Sequence, residues 1–600
     1  MRHTQCYLPG YPRPQFVRAA WQDLCGEWDL CFDDADAGER LGWQRGFAPT
    51  HTITVPFVYS CEASGIGDEA EHDAVWYQRH IDIPSEKGRV LLVFEGSDYE
   101  TTVWLNGERV GSHCGAYARF SFDVTDAVKA GKNLLVVRVR DDSACDKPRG
   151  KQSWTGRCEE CWYLPCTGIY KPVWLDLPAQ ESYLAGVKIT PRLEDDSVTF
   201  DFTCEGCRGA EIIRAQVSFE GKFVAEGTIA VRRPCETLRL DLRSDAVFFK
   251  TRQWSPARPN LYDVRFFLER EGRTLDEVGS YFALREVRTD GNRILLNNNA
   301  TYFKLVLDQG YYDGSLLTPK DEAELERDVV LAKELGFNGV RKHEKTEDER
   351  YFYYADVYGL FVWCEMPSFY LYNDRAAQRA LTEWGEIVRQ FYNHPSVVCW
   401  VCCNESWGVG NVALQPAMQN FTQAMYFTAK TYDPFRPVVS NDGWEHTRSD
   451  LLTLHQYQQD AALFTSYFCE PERLTQGWCK GRGKMPFAKG FSYTGQPVLI
   501  TEFGGASFAP ASQGWGYGGQ LGGVEEWLER LRSLMQAVQS LDGCAGYCYT
   551  QLTDVMQEKN GLLYSDRTPK AAAERIKKIN DGIFTADEKK GTAKSAKERK

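Results

Sequence analysis

The spacing of hydrophobic positions changes near residue 286. Before that point, short runs are rich in β-branched and aromatic residues, as in RVLLVFEG (89–96) and TTVWLNGERVG (101–111), and some runs alternate between apolar and polar residues, as in VTFDFTC (198–204). Alternation with a period of two indicates half-buried β-strands, and the Asn106-Gly107 pair between two such runs indicates a tight hairpin. After that point, apolar runs of four to seven residues alternate with amphipathic stretches of helical spacing. The pattern therefore predicts an all-β part followed by an α/β part.

This pattern predicts a multidomain α and β protein of three domains and a tail. Residues 1–180 hold several short strands with regular turns, which predicts a jelly-roll-like β-sandwich. Residues 181–285 hold a second all-β stretch of about 100 residues, which fits an immunoglobulin-like β-sandwich. Residues 286–585 predict a (β/α)8 TIM barrel. Residues 586–600 are polar and basic, which predicts a disordered tail.

The barrel prediction depends on eight apolar runs separated mostly by helical stretches. These runs are FKLVL (303–307), NGVR (338–341), LFVWC (360–364), VVCWVCC (397–403), PVVS (437–440), LLTLH (451–455), PVLIT (497–501) and AGYCYT (545–550). Eight strands that alternate with helices match the arithmetic of a (β/α)8 barrel, whose active site forms at the carboxyl ends of the strands.

One helix of the barrel has clear end signals in the sequence. For residues 319–335 we expect Thr318 to cap the N-terminus, Pro319 to take the first helical position and Asp321 to lie in the first turn. Gly336 is expected to end the helix. The irregular segment 458–496 predicts a loop over the barrel mouth.

Composition narrows the class of protein and its partners. Hydrophobic residues make up 43% and charged residues 26% of the 600 residues, as in ordinary globular proteins. The net charge of −13 argues against nucleic-acid and anionic-membrane partners, and no apolar run approaches the roughly 20 residues that span a bilayer. The first residues lack the apolar core of a signal peptide, so the 20 cysteines are expected to be reduced thiols in a cytoplasmic protein.

Two carboxylates stand where a barrel places its active site. The fourth predicted strand is followed by Asn404-Glu405 and the seventh by Glu502. A carboxylate inside a barrel is costly unless it is paired or used. Two such groups suit glycoside hydrolysis, in which one carboxylate attacks the anomeric carbon and the other protonates the leaving oxygen. The alternative is a salt-bridge network at the barrel mouth.

Motifs spread over nearly the whole chain carry a resemblance to a known family. They include VWLNGERVG, GIYKPVWLDL, LGFNGVRKHEK, GLFVWCEMPS, NESWG, LITEFGG and GYCYTQLTDV. With these motifs the sequence resembles glycoside hydrolase family 2, which includes the β-galactosidases and β-glucuronidases, from about residue 12 to about residue 575. The resemblance implies that Glu405 is the acid/base, that Glu502 is the nucleophile and that Asn404 binds the sugar 2-hydroxyl. A capping role of Asn404 at the strand–helix turn is its alternative.

Further candidates for substrate binding follow the other strands. They are Arg341, His343, Asp308, Glu365, Tyr457, His455, Trp407 and Trp515, with Trp363 as a third candidate stacking platform. The resemblance implies that Arg341 and His343 line the sugar site and that Tyr457 hydrogen-bonds the nucleophile. Glu365 is expected to orient Glu405 or to pair with Arg341. A structural role for His343 and a packing role for the tryptophans are the alternatives.

The sequence indicates the type of reaction more clearly than the identity of the sugar. β-Glucuronidases of the resembled family carry an Asn-x-Lys motif that grips the sugar carboxylate, and the matching stretch here has Glu558 and Asn560. An acidic residue there would repel a uronic acid. A β-galactoside is therefore the leading substrate on family frequency, with arabinosides, a galactofuranoside and glucuronides as alternatives.

Other classes of protein and of site stay open at this stage. The pairs Cys158-x-x-Cys161 and Cys204-x-x-Cys207 offer a four-cysteine zinc site, although the two pairs fall in different predicted domains. Cys402 beside Cys403 suggests a nucleophile, but strand packing explains both better.

The expected partner is a carbohydrate, and a non-catalytic sugar-binding protein and a transglycosidase are the functional alternatives. The first domain is expected to supply part of the active-site rim, with PRGKQ (148–152) as its candidate segment. No organic cofactor and no metal are implied, although some relatives hold a cation near the equivalents of Glu365 and Glu405. Homo-oligomers are common in the resembled family.

Overall fold

A computed structural model of the chain describes residues 3–84, 88–243, 251–468 and 483–584. The predicted tail, 586–600, and residues 469–482 of the predicted mouth loop lie outside the described residues. The rest of that loop contains a helix, Ala461–Phe468.

The first part of the chain forms two antiparallel sheets packed face to face. The strands are β1 Trp21–Asp23, β2 Gly26–Phe32, β3 His51–Val55, β4 Ala74–Ile83, β5 Leu91–Phe94, β6 Ser97–Asp98, β7 Glu100–Leu105, β8 Glu108–Cys114, β9 Phe120–Asp123, β10 Gly131–Arg140, β11 Gly168–Ile169 and β12 Val173–Asp176. One sheet has the order β1-β12-β5-β9 and the other β3-β2-β4-β10-β7-β8. Inward-facing residues of both sheets, such as Leu92 and Val137, form one buried core. Asn106 and Gly107 join β7 to β8 with φ of 53° and 86°, so the predicted hairpin is confirmed.

A second, smaller sandwich follows. Its strands are β13 Tyr183–Arg192, β14 Ser197–Glu205, β15 Ile212–Phe219, β16 Lys222–Ala230, β17 Cys235–Asp241, β18 Trp254–Ser255, β19 Arg258–Pro259, β20 Tyr262–Arg270 and β21 Arg273–Phe282. The sheets β13-β14-β17 and β16-β15-β20-β21 share a core that includes Phe200, Phe202 and Phe266. A three-stranded sheet of β22 Val287–Asp290, β23 Arg293–Leu296 and β24 Asn299–Ala300 then leads into the barrel.

The third part is a parallel eight-stranded barrel. Its strands are β25 Phe303–Asp308, β26 Gly339–Lys342, β27 Phe361–Glu365, β28 Val397–Val401, β29 Val438–Val439, β30 Leu452–His455, β31 Val498–Gly504 and β32 Cys544–Thr550. The ladder runs β29-β28-β27-β26-β25-β32-β31-β30. A hydrogen bond from Asp450 N to Val438 O, 2.9 Å, links the two ends of this ladder. Each of the eight predicted strands is present, which confirms the predicted fold class.

The described helices flank the barrel strands, except for one short helix in the first sandwich. They are α1 Gly38–Leu41, α2 Glu322–Glu334, α3 Glu349–Tyr358, α4 Asp374–Phe391, α5 Pro416–Tyr432, α6 Ala461–Phe468, α7 Val524–Gln539 and α8 Ala573–Asn580. In the described ranges, none of them combines the length and the apolarity that a membrane-spanning helix needs.

The predicted start of α2 was wrong by three residues. Asp321, not Thr318, is the N-cap, and its carboxylate accepts a hydrogen bond from Glu324 N at 3.0 Å. The hydroxyl of Thr318 instead donates to Tyr170 O at 2.6 Å, and Tyr170 belongs to the first sandwich. The local sequence pattern assigned the Thr318 hydroxyl to the helix cap, but a tertiary hydrogen bond to the first sandwich engages it instead.

Candidate active site

A cavity of about 590 Å³ opens at the carboxyl ends of the barrel strands. Its barrel-side lining consists of Leu307, Gln309, His343, Asn404, Glu405, Trp407, Tyr457, Glu502, Trp515, Tyr517, Thr550 and Glu558. Both predicted catalytic glutamates line it. The volume lies in the range of small-molecule sites.

The first sandwich completes the wall of this cavity. Lys151, Glu160, Cys161 and Trp162 come from the segment between β10 and β11. Lys151 belongs to the predicted rim segment 148–152, and Arg149 N donates to Ser368 O in the barrel at 2.8 Å. The site is therefore shared between two parts of the chain.

Glu405 and Glu502 face each other across a short gap. One carboxylate oxygen from each lies within 4.8 Å of the other and of a ring nitrogen of His455. His455 Nδ1 lies 2.7 Å from Glu405 Oε1 and 3.5 Å from Glu502 Oε2. The arrangement places one imidazole beside both carboxylates.

Glu502 is held as a carboxylate by its surroundings. Tyr457 OH donates to its Oε2 at 2.5 Å, and Arg341 Nη1 lies 3.0 Å from its Oε1. Burial alone would raise the pKa of Glu502, but His455 and Arg341 outweigh burial and hold that pKa at about 2. At neutral pH this group is therefore ionised.

Glu405 sits on a turn with unusual backbone conformation. Glu405 and Ser406 have φ of 50° and 61°, in the left-handed region that few non-glycine residues occupy. Glu405 N donates to Asp442 O at 2.9 Å, and Ser406 N donates to Asn441 Oδ1 at 3.0 Å. These bonds hold the strained turn in place, as is common at functional sites.

Arg341 is the buried centre of the charge network under the cavity. Its guanidinium lies 2.6 Å from Glu365 Oε2, 2.5 Å from Asp442 Oδ2 and 3.0 Å from Glu502 Oε1. It also donates to Asn404 Oδ1 at 2.7 Å, which leaves the amino group of the Asn404 amide to serve as donor in the cavity. Arg341 is fully buried and is not in the cavity lining, so it positions the residues above it.

His343 and Glu365 interact with each other but differ in their access to the cavity. His343 lines the cavity, and its Nδ1 lies 2.9 Å from Glu365 Oε1. Glu365 is fully buried beneath the cavity, where it pairs with Arg341 and His343. Of the two expected roles of Glu365, the structure shows the pairing with Arg341.

Asp308, a predicted substrate-binding residue, does not line the cavity. Its carboxylate accepts from Lys342 Nζ at 2.8 Å and from Tyr351 OH at 3.3 Å, outside the cavity. The next residue, Gln309, lines the cavity instead. Side chains alternate along a strand, so a shift of one residue reverses the direction in which a side chain points.

The three candidate tryptophans divide in the same way. Trp407 and Trp515 line the cavity. Trp363 is fully buried in a core that fills the barrel, so its proposed stacking role was wrong. Trp162, which the sequence did not single out, contacts Trp407 edge-on with ring centroids 5.3 Å apart. Trp162 and Trp407 therefore form an aromatic part of the cavity that Glu405 also lines.

Asp442 is the main residue of this network that sequence reasoning missed. It lies beyond β29, and its Oδ2 is 3.1 Å from His455 Nε2. Burial works against its charge, but Arg341 and His455 hold the pKa of Asp442 well below its usual range. Its position after a barrel strand in PVVSND was a usable signal.

The cysteine pairs do not come together. Cys161 lines the cavity and Cys158 contacts Met556, whereas Cys204 is buried in the second sandwich. In the described ranges, the side-chain groups with metal-ligand spacing are His343, Glu344 and Glu365, and Glu405, His455 and Glu502. Cys402 and Cys403 are buried strand-end residues, and burial raises the pKa of both thiols. Packing explains them.

Family models match three consecutive parts of the chain. The model for the glycosyl hydrolase 2 galactose-binding domain-like region matches residues 52–165, and that for glycosyl hydrolases family 2 matches residues 182–285. The model for the glycosyl hydrolases family 2 TIM barrel domain matches residues 287–585.

Curated relatives differ in length and in named substrate. A β-glucuronidase of Paenibacillus borealis is 23% identical over 94% of this chain and 98% of its own length. A β-galactosidase of Photobacterium profundum is 25% identical over 94% of this chain and 56% of its own length. A putative β-glucuronidase of Formosa agariphila is matched over 43% of its length, so the chain spans about half the length of several relatives.

Solved structures show the same fold. A β-galacturonidase of Eisenbergiella tayi bound to galacturonate superposes with a TM-score of 0.75 at 21% identity, over 95% of this chain and 99% of that chain. A β-glucuronidase of Ruminococcus gnavus in complex with D-glucuronic acid gives 0.75 at 20% identity, over 97% and 100%. With the three family models, these matches confirm the resemblance found in the sequence: the chain belongs to glycoside hydrolase family 2.

Proposed function

We propose that the chain is a retaining exo-acting glycoside hydrolase that removes a terminal sugar through a covalent glycosyl-enzyme. The separation of Glu405 and Glu502 carries this proposal, because one oxygen of each lies within 4.8 Å of the other. A retaining mechanism needs carboxyl groups about 5–5.5 Å apart, whereas an inverting mechanism needs about 6.5–9.5 Å to admit a water molecule.

The two steps assign different work to the two glutamates. In the first step a Glu502 oxygen bonds to the anomeric carbon, the glycosidic bond breaks, and the leaving oxygen takes a proton from Glu405. In the second step Glu405 takes a proton from water, the water oxygen bonds to the anomeric carbon, and Glu502 leaves. Glu405 must therefore start protonated and Glu502 ionised.

The surroundings support this division. The pKa of about 2 keeps Glu502 ionised at neutral pH, and Tyr457 donates to the oxygen that also lies near His455. Asn404, fixed by Arg341, offers its amino group to the sugar 2-hydroxyl. Trp407 and Trp162 supply flat apolar surface in the cavity that Glu405 lines.

A β-galactoside is the leading substrate, and an arabinoside, a galactofuranoside and a glucuronide are the other candidates. Relatives are named β-galactosidase, β-glucuronidase and β-galacturonidase, so the names alone do not select one sugar. The sugar that the protein accepts must therefore be identified by direct assay.

The first test is hydrolysis of p-nitrophenyl glycosides by wild type and Glu502→Gln. The panel comprises β-galactoside, β-glucoside, β-mannoside, β-glucuronide, β-galacturonide, α-L-arabinosides and β-galactofuranoside. Release from one sugar that is lost in the variant supports the proposal. Release that is equal in both proteins contradicts it, and binding of a sugar with no release by wild type favours a non-catalytic binding protein.

A further inference from the structure

Two buried side chains of opposite charge line the cavity without a part in the proposed reaction. Lys151 comes from the first sandwich and Glu558 from the segment after β32. Both are nearly buried, with 9% and 4% of their surface exposed. Buried charges are costly, so a pair kept inside a substrate cavity calls for a ligand that uses it.

Glu558 is held firmly by neutral donors. Its Oε2 accepts from the hydroxyl of Tyr163, from Gln309 Nε2 at 2.7 Å and from Gln551 Nε2 at 3.4 Å. The three donors come from the first sandwich and from two barrel strands' ends, so the carboxylate has a fixed orientation. In the described part of the chain Oε1 takes no such donor and stays available to a ligand.

Lys151 keeps its charge without a close carboxylate partner. Among the described residues, no carboxylate lies within ion-pair distance of its ammonium group. Burial alone would lower the pKa of Lys151, but the Cys161 thiol and the Glu558 carboxylate outweigh burial and hold that pKa well above its ordinary value. The cavity therefore presents a charged donor and an acceptor of fixed orientation.

We propose that Lys151 and Glu558 select a neutral terminal sugar over a uronic acid. Lys151 donates to sugar hydroxyl oxygens and Glu558 accepts from sugar hydroxyl groups. This inference rests on the proposed glycosidase function and names its substrate class.

The chemistry of the two partners explains the selection. A hydroxyl both donates and accepts, so a neutral sugar satisfies an ammonium group and a carboxylate together. A uronate carboxylate only accepts, so it satisfies Lys151 but leaves Glu558 facing a like charge. The charges of Lys151 and Glu558 balance each other, and a uronate brings a further negative charge that this pair does not compensate.

The test compares sugars that differ only at C6. We measure kcat/KM for p-nitrophenyl β-galactoside against β-galacturonide, and for β-glucoside against β-glucuronide, with the neutral furanosides and arabinosides beside them. We expect kcat/KM for the best neutral glycoside to exceed that for the best uronide by about 100-fold or more, because a contact between like charges weakens binding by orders of magnitude. A uronide that is hydrolysed as well as or better than every neutral sugar overturns the inference.

Single variants assign the selection to the two residues. Glu558→Gln keeps the shape and removes the charge, and we expect it to lower kcat/KM for the neutral sugar and to raise the ratio of uronide to neutral turnover. Lys151→Met should lower neutral turnover without any gain for the uronide. Loss of uronide turnover alone in Lys151→Met would contradict the inference, because Lys151 would then be a carboxylate receptor.

A control variant and a binding assay separate this inference from the proposed function. The control variant Glu159→Gln also removes one negative charge, from the segment between β10 and β11 that carries Lys151. Glu159 lies outside the cavity and accepts a hydrogen bond from Thr155, so this variant should leave the ratio of uronide to neutral turnover unchanged. Calorimetric binding of galactose, arabinose and galacturonate to Glu502→Gln requires no turnover. If a neutral sugar binds but nothing is hydrolysed, the proposed function fails alone. If galacturonate binds more tightly, or no neutral sugar binds, the selection fails.

Discussion

The imidazole of His455 lies against Glu405, with Nδ1 2.7 Å from the Oε1 atom of that carboxylate. The same nitrogen is 3.5 Å from Glu502, and Nε2 is 3.1 Å from Asp442. Burial alone would lower the pKa of His455, but Glu502 and Asp442 outweigh burial and raise that pKa to about 10. At neutral pH one cation therefore lies between the proposed nucleophile and the proposed acid/base.

The first prediction concerns the pH dependence of stability. The folded pKa of His455 lies above its ordinary value of about 6.5, so its contribution is fully present below pH 6.5 and is lost as the pH rises through 10. We expect His455→Asn to lower the free energy of unfolding much more at pH 7 than at pH 10.5, measured by urea denaturation.

His446 provides the matched control. Burial lowers the pKa of this histidine to about 4, so it stays neutral from pH 7 to pH 10.5. The cost of His446→Asn should therefore be constant over that interval. A cost of His455→Asn that is equally constant would contradict the assignment of a charged His455.

The second prediction separates the roles of the two glutamates by leaving group. A 2,4-dinitrophenolate leaves without protonation, whereas a poor leaving group needs the proton of Glu405. Glu405→Gln should therefore lower kcat/KM, which reports the first step, by about 10²–10⁴-fold for a methyl or alkyl glycoside and far less for the dinitrophenyl glycoside. Glu502→Gln should abolish both. Equal losses on both substrates in Glu405→Gln would count against its role as the acid.

The third prediction concerns the hydroxyl that holds the nucleophile. Tyr457 OH donates to Glu502 Oε2 at 2.5 Å and lies 3.1 Å from Thr550 Oγ1. A hydrogen bond to a charged group contributes about 1.5–3 kcal/mol, so Tyr457→Phe should lower kcat/KM by about 10–100-fold. Steady-state kinetics measures the loss. Tyr493→Phe, whose hydroxyl donates to Gln496 O outside the cavity, is the control and should stay near the wild-type rate.

The fourth prediction tests the buried network through Arg341. Arg341→Met would leave Glu365, Asp442 and Glu502 without their shared cation, and breaking a buried ion pair costs about 3–5 kcal/mol. Chemical denaturation of the barrel measures this cost. Arg192→Met removes an exposed pair with Glu194 and should cost less than about 1 kcal/mol. Similar costs for the two variants would show that the network adds little to stability.

The sequence predicted the barrel and both glutamates because these features are local. A strand is visible as an apolar run, and the order of the runs shows where its carboxyl end lies. Glu405 follows β28 by a few residues and Glu502 lies near the end of β31, so both could be placed at the barrel mouth from the order of runs alone. The Asn106-Gly107 hairpin was equally local.

The failures share a different cause, because each depended on direction or on distant contacts. Asp308 and Trp363 were assigned to the cavity, but both side chains point away from it. Successive side chains of a strand point in opposite directions, so an error of one residue in the alternation reverses the assignment. Thr318 was assigned to a helix cap although Tyr170 from the first sandwich takes its hydroxyl. Trp162 reaches the cavity only through the packing of the first sandwich on the barrel, which no local pattern records.

The most direct test of the central claim is to identify the residue that becomes covalently bound to sugar. The wild type is incubated with the 2-deoxy-2-fluoro dinitrophenyl analogue of its fastest substrate, and the labelled peptide is sequenced by mass spectrometry. The account predicts one sugar per chain, attached to Glu502. A label on another residue, or turnover of the unfluorinated substrate with inversion and no covalent species, would contradict it.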